Sequence, residues 1–285
     1  MKRIMNFTLR WPTLVLTIIL AISVYFFMEM KNNTRMETDL DEYMPQDHPA
    51  FVYSDSAEAI FNIKDGIIIA IENKGGIYNS QTLEMVKSLT EDLQKLEEIE
   101  KSDVTSLYTA DNIIGTETGL EVNPFYTKVP ESQQNINRLK QKVRDNEMIN
   151  DKIVSEDETV TLTISEIGDD AFSQEFYHQL LDLAGSYEDK EHNLYVAGRP
   201  IVEGTMAYLG PRDMQRMVPV VILVIILVLY ITLRNVKTTV LTLLVVLFSV
   251  VWAFGLMAAL SIPIYAVTTM VPVMLIAIGV ADGIH

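Results

Sequence analysis

The sequence contains no cysteine, which excludes disulfide bridges, thiolate metal ligands and thiol chemistry. Charged residues are also absent from three long stretches, although the 285-residue chain carries a formal net charge of −16. An acidic total of this size suits a soluble protein, whereas the positive mean hydropathy of the chain does not. The acidic net charge and the positive mean hydropathy are compatible because charged and apolar residues are segregated along the sequence.

The three uncharged stretches have the length and composition of membrane spans. A helix needs about 20 apolar residues to cross a bilayer core, and the stretches contain 18, 17 and 44 residues. The longest has room for two spans, divided at Ser261-Ile262-Pro263, where Ser suits a helix cap and Pro a first helical turn. We predict a multi-pass α-helical membrane protein with spans at about 11–28, 217–233, 238–260 and 264–285.

The first stretch has one alternative interpretation, a cleaved signal peptide. Its start is basic, with Lys2, Arg3 and Arg10, as the start of a signal peptide would be. No small-x-small cleavage site follows it, however, because the flank reads FFMEMKNN. We therefore expect an uncleaved anchor, and the cleaved form is the alternative.

Lysine and arginine near the span ends predict the orientation of the chain in the cell membrane. Such residues occur at the N-terminus and in the RNVK turn at 234–237, so both belong in the cytoplasm. Residues 1–28 are then a cytoplasmic N-terminus and first span, 29–211 an extracytoplasmic domain, and 212–285 the remaining spans. The extracytoplasmic domain has 36 acidic and 15 basic residues, a formal charge of −21. This charge argues against nucleic acid and against anionic lipid surfaces as direct partners.

Hydrophobic periodicity predicts an α+β fold for residues 29–211. Strands are indicated at 66–71, 104–110, 159–167 and 194–198, and helices at 83–96, 131–149 and 173–187. The order β-α-β, helix, β-α-β suits a ferredoxin-like βαβ sandwich. The strand at 159–167 has the alternation of a half-buried strand, with Val160, Leu162 and Ile164 on one side and Thr161, Thr163 and Ser165 on the other.

The polar residues of this domain show no pattern of an enzyme or a metal site. No nucleophile–base pair, zinc ligand set or phosphate-binding loop is recognisable, so we expect no catalysis and no cofactor. The histidines His48, His178 and His192 are isolated and flanked by acids, which predicts surface positions. The acids between residues 37 and 42 belong to a predicted linker at 31–49, and their spacing matches no calcium loop.

The stretch AIGVADGIH at 277–285 contains the strongest functional candidate, Asp282. An acid near the centre of a span costs about 2.5–3.5 kcal/mol, and such residues usually serve protons, ions or substrates. The alternative is a solvated position near the cytoplasm, because Asp282 would lie level with Thr242, about 7 Å of helix beyond Lys237.

The neighbours of Asp282 favour a moving, proton-coupled helix. The small residues Gly279 and Gly283 permit close helix packing, and Pro272 can kink the span as a hinge. His285, three residues after Asp282, is a possible neighbour in the proton relay. No basic residue or hydrophilic tail follows Asp282, so we expect that the span continues and that this chain is an N-terminal fragment.

The ending GVADGIH and the segment GRPIVEG at 198–204 resemble the RND superfamily of transporters, in its MMPL-like predicted exporter branch. The resemblance implies twelve spans in two similar halves, each with a porter ectodomain, and proton antiport that drives export of hydrophobic or amphipathic molecules. Asp282 matches the relay acid of the family, and a missing second half would be a partner. Many members have a second acid or a Tyr after it, where this chain has Gly283.

Two other functions fit the same sequence. A membrane-anchored sensor or accessory protein would use the ectodomain to bind a ligand, and the protein-export accessory branch of the superfamily has the same span order. The substrate and the oligomeric state are not predicted.

Overall fold

A computed structural model describes residues 10–43, 45, 47–61, 65–116, 119–168 and 172–265, followed by residues 268, 270–272, 274, 275 and 278. The chain forms two compact units. One, the helical unit, consists of Met1–Met44 together with Met206–His285, and the other, the α+β unit, is Pro45–Thr205.

Three helices in the described part of the chain are long and apolar enough to cross a membrane: α1 (Pro12–Asn33), α6 (Arg199–Leu233) and α7 (Val236–Ala259). Their positions agree with the first three predicted spans. Helix α1 begins with Pro12 in its first turn, where a missing N–H costs nothing. The fourth predicted span lies mostly outside the described residues.

Helix α6 starts well before the span predicted from its uncharged residues. It extends over 35 residues, or about 52 Å at the usual helical rise, whereas a bilayer core is about 30 Å thick. Pro200 lies in its first turn and is compatible with a helix there. The lack of charged residues predicted the apolar part of this helix. It did not predict that the helix begins at Arg199.

The elements of the α+β unit are α2 (Pro49–Phe61), β1 (Asp65–Asn73), α3 (Ser80–Leu93), β2 (Ile99–Thr105), β3 (Asp111–Thr116), β4 (Gly119–Pro124), α4 (Gln133–Arg144), β5 (Val160–Ile167), α5 (Gln174–Ser186) and β6 (His192–Ala197). Four of the strands form a sheet in the order β2-β5-β1-β6, in which every neighbouring pair is antiparallel. A separate hairpin pairs β3 with β4.

The strands predicted at 66–71, 159–167 and 194–198 are present as β1, β5 and β6, and the three predicted helices as α3, α4 and α5. The second strand lies earlier than predicted, because residues 106–110 form a turn. There the Thr109 hydroxyl accepts a hydrogen bond from the Ser106 N–H at 2.9 Å. Helix α2 and the β3–β4 hairpin were not predicted. The apolar residues of α2 are not concentrated on one side of the helix, and those of the hairpin are few.

The core of the α+β unit lies between the helices and one side of the sheet. Ile67, Ile69 and Ile71 of β1 are fully buried, as are Leu83, Val86 and Leu89 of α3 and Phe176 and Leu180 of α5. Helix α3 is fixed at its start by Asn79, whose side chain accepts a hydrogen bond from the Thr82 N–H.

The alternation of β5 is present, but its fully buried side carries hydroxyls rather than the aliphatic side chains that such a pattern suggests. Thr161, Thr163 and Ser165 pair with Ile71, Ile69 and Ile67, and directly paired residues point to the same side of a sheet. All three are 0% exposed, and their hydroxyls form no hydrogen bond with the described residues. The register with β1 therefore decides which side of β5 enters the core.

The prediction of a surface position is wrong for His192, which is 1% exposed, whereas His48 and His178 are exposed. Its Nε2 lies 2.8 Å from Thr82 Oγ1 and 3.1 Å from Asn73 Nδ2, and its Nδ1 lies 2.9 Å from Asp189 Oδ1. Since the Gly75 N–H donates to Asn73 Oδ1, the Asn73 amine faces His192 and Nε2 is an acceptor.

The proton on the ring therefore lies on Nδ1, where it is donated to Asp189. Hydrogen bonds from the Glu191 backbone N–H and from the His192 ring lower the pKa of Asp189. The sequence showed the acids beside His192 but not the inward direction of its side chain at the start of β6.

Replacing Thr163 by Val should raise the free energy of unfolding of the α+β unit by about 1 kcal/mol. The change removes a buried hydroxyl that has no hydrogen-bond partner among the described residues, and it keeps the side-chain shape. Thr82→Val is the matched control. It makes the same change at a fully buried Thr whose hydroxyl bonds to His192, and should lower that free energy by about 1–3 kcal/mol. Pulse proteolysis of the full chain in urea measures both values, and equal shifts would contradict this account.

Candidate functional site

Four of the five residues predicted for the site lie outside the described residues: Asp282, His285, Gly279 and Gly283. Pro272 is described, and it is helical and buried. Thr242, the residue of α7 expected level with Asp282, is also buried, at 8% exposure. The described part of the helical unit consists of α1, α6, α7 and the segments that follow them, and these contain the contacts around the predicted site.

A polar contact joins α1 to α7 within their apolar lengths. The indole Nε1–H of Trp252 donates a hydrogen bond to Ser23 Oγ at 2.8 Å, and Ser23 Oγ donates in turn to the Ile19 carbonyl at 2.8 Å. Ser23 is 6% exposed and is the one buried residue of α1 among those described. In hydrocarbon an indole N–H needs a partner, so this bond fixes where the two helices meet.

Close packing continues one turn further along both helices. A Cβ placed on Gly255 would lie 2.4 Å from both the Cβ and the carbonyl oxygen of Phe26, so a larger residue does not fit there. The rings of Phe26 and Trp252 have centroids 6.2 Å apart. Since Ser23 meets Trp252 and Phe26 meets Gly255, α1 and α7 run in the same direction.

A two-residue turn lies between α6 and α7. Helix α6 ends at Leu233, Arg234 adopts a φ of 49°, and Asn235 caps α7 by accepting from the Lys237 N–H at 3.0 Å. Arg234 and Lys237 are both exposed at this end of the helices. Exposed cations beside an apolar helix end are the feature on which the predicted cytoplasmic location of this turn depends.

At the other end of α1 and α7, two chain segments pair through their backbones. The Ile264 N–H donates to the Arg35 carbonyl at 2.8 Å, and the Glu37 N–H donates to the Ile264 carbonyl at 2.9 Å. These bonds make a parallel bridge between Met36 and Ile264. We call this junction the collar, defined as residues 35–37, Tyr43, Gly210, Ile264 and Tyr265.

Side chains complete the collar. The rings of Tyr43 and Tyr265 meet edge to face with centroids 5.1 Å apart, and the Tyr43 hydroxyl donates to the Glu37 carbonyl at 2.9 Å. Gly210 of α6 leaves room for Met36, because a Cβ there would lie 2.3 Å from Met36 Cε. The collar thus joins the segments after α1 and after α7 to α6.

The collar was not foreseen, because the sequence gives no pairing signal for a single bridge within a predicted linker. Its aromatic residues Tyr43 and Tyr265 were the available signal, since tyrosine is common at the membrane interface. Within the described ranges, no group of three His, Asp or Glu residues could hold a metal ion. The polar contacts of the helical unit given above join α1 to α7 and pair the segments that follow them.

Comparison with known proteins extends over most of the chain. Residues 43–285 match the model of the MMPL family. The chain is also 23% identical, over 297 aligned positions, to a protein of Methanocaldococcus jannaschii named "Putative membrane protein MJ1562". That alignment covers all of this chain and 73% of the archaeal protein.

Replacing Ser23 by Ala should change the environment of Trp252, because the indole N–H loses its acceptor. We expect a shift in the Trp252 fluorescence emission in a Trp11→Phe background, together with a loss of about 1–2 kcal/mol of helix association. Thr17→Ala is the matched control on the same helix, since the exposed Thr17 hydroxyl donates to the Thr13 carbonyl within α1. An emission spectrum unchanged by Ser23→Ala would contradict the contact.

Proposed function

Since the chain belongs to the MMPL family of RND-type membrane transporters, we propose that it acts in proton-driven export of hydrophobic or amphipathic molecules, with Asp282 as the proton carrier. The observation that carries the proposal is the extent of the family match, which includes the α+β unit, α6, α7 and the segment ending in GVADGIH.

The proposed role of Asp282 follows from the cost of charge in hydrocarbon. A carboxylate in a span is unfavourable by about 2.5–3.5 kcal/mol near the bilayer centre, so burial favours its protonated form. Each proton that crosses the membrane potential releases about 2.3 kcal/mol per 100 mV. Loading and releasing that proton would bias the helix between two packings, and the movement of the proton across the membrane would supply the work done in export.

We assign the α+β unit to the extracytoplasmic side, as a ferredoxin-like porter domain. The exposed Arg234 and Lys237 support a cytoplasmic α6–α7 turn, which puts the opposite ends of the helices outside. The sheet order β2-β5-β1-β6 supports the ferredoxin-like assignment, because each βαβ crossover skips one strand.

The collar is the proposed route from the proton site to the ectodomain. Ile264 starts the segment that leads to Asp282, and residues 35–37 start the segment that leads from α1 into the α+β unit. Two backbone hydrogen bonds join these segments, so a shift of one displaces the other. The Met36 side chain lies against Gly210, and this contact would extend the coupling to α6.

Asp282→Asn in the whole transporter should abolish proton-coupled export, because an amide cannot gain or lose a proton in this pH range. The measurement is efflux of a lipophilic fluorescent dye from proteoliposomes with an imposed pH gradient, with proton flux followed by a trapped pH indicator. Asp213→Asn is the control, since Asp213 is exposed on α6 and precedes its apolar part. Unchanged export and proton flux in Asp282→Asn would disprove the relay.

A further inference from the structure

The α+β unit has an open cavity of about 640 Å³ where the loop after β4 meets α4. This volume is within the range of about 300–1,000 Å³ that is usual for small-molecule sites. Its walls are the loop residues 125–132 and one side of α4, which contributes Asn135, Arg138, Leu139 and Lys142. The cavity lies within a single compact unit.

Positive charge surrounds this cavity, although the domain around it is strongly acidic. Lys128, Arg138 and Lys142 line it with a single acid, Glu131, whereas residues 29–211 carry a net charge of −21. Helix α4 contains four basic residues and no acid. The clustering is therefore local, and it opposes the field of the rest of the domain.

The three cations of the cavity are available to a ligand. The other two basic residues of α4, Lys140 and Arg144, both bind Glu158, with 2.8 Å between Arg144 Nε and Glu158 Oε1. Lys128, Arg138 and Lys142 are exposed and form no ion pair with any residue in the described ranges. The lining also includes Ser132 and Asn135 at the start of α4, where the helix dipole adds positive potential.

Apolar side chains form the floor of the cavity. Phe125, Tyr126 and Leu139 line it while being 3–6% exposed, and all three belong to the hydrophobic core of the unit. Val129 and Pro130 extend the apolar surface at one side. The buried apolar side chains and the exposed cations Lys128, Arg138 and Lys142 together suit a ligand that has one apolar end and one anionic end.

The loop that forms this floor is held in place before any ligand arrives. The Tyr126 hydroxyl donates to the Leu83 carbonyl at 2.9 Å, and the Ser80 hydroxyl donates to the Pro130 carbonyl at 2.7 Å. Burial raises the pKa of Tyr126, so its phenol stays neutral and remains a donor. A preformed site of this kind loses little conformational entropy on binding.

We propose that this cavity binds an anionic amphiphile, with its phosphate or carboxylate head on Arg138, Lys142 and Lys128 and a short apolar chain on Tyr126 and Leu139. Binding itself requires no transport. The further statement that such amphiphiles are the exported molecules rests on the proposed function and names its substrate class.

The test uses the full chain in nanodiscs of phosphatidylcholine, with hexyl phosphate as the probe and isothermal titration calorimetry as the measurement. Titration into empty nanodiscs corrects for partition into lipid. Hexyl phosphate should bind at least about tenfold more tightly than inorganic phosphate or hexanol, since each of these has only one of the two ends. The double variant Arg138→Gln/Lys142→Gln should weaken binding by at least about tenfold.

The control variant Lys101→Gln/Lys190→Gln removes the same charge from exposed positions outside the cavity and should leave the affinity unchanged. Equal affinity for inorganic phosphate would overturn the proposal in favour of a small-anion site. Equal binding of hexyltrimethylammonium, or equal loss in both double variants, would overturn it in favour of nonspecific association. Absence of binding would refute the proposal that the cavity is a ligand site. It would not affect the proposed relay role of Asp282, which is tested separately by proton flux.

Discussion

The backbone pairing of residues 35–37 with Ile264 is the constraint on which the helical unit depends. It fixes the chain after α1 to the chain after α7 at one end of the helices, while the Trp252–Ser23 hydrogen bond fixes the same two helices along their length. Between these two points, Gly255 allows the backbone of α1 to approach α7. These contacts join α1 and α7 from Ser23 and Trp252 to the collar.

These contacts explain how helices with few charged residues can still select one particular packing partner. In hydrocarbon, packing and hydrogen bonds rather than the hydrophobic effect select helix partners, and the small residues Ser23 and Gly255 are where close approach occurs. The α+β unit is organised by the opposite rule, since burial of Ile67, Ile69 and Ile71 drives its folding even at the cost of enclosing three hydroxyls of β5. In the proposed proton-driven export, the helical unit would conduct the protons and the α+β unit would bind the ligand.

Much of this fold follows from the sequence, and what does not has identifiable physical causes. Charge-free stretches predicted four spans, of which the first three are present as α1, α6 and α7. A short apolar run predicted β1, and alternation of apolar and polar residues predicted β5. The buried side of β5 depends on its register with β1, and the inward direction of His192 depends on its place in β6, so neither is encoded locally. The basic run of α4 was visible in RLKQKVR, but only the fold brings Lys128 and Tyr126 beside it. Asp282 remains a prediction from the sequence and its family resemblance.

The central claim is that movement of protons supplies the energy for export, and one measurement addresses it directly. Dye efflux is recorded from proteoliposomes that contain the whole transporter under an imposed pH gradient, and a protonophore is then added to collapse the gradient. The account predicts that efflux falls at once to the rate of protein-free liposomes. Efflux that continues at the same rate after the gradient has collapsed would contradict it.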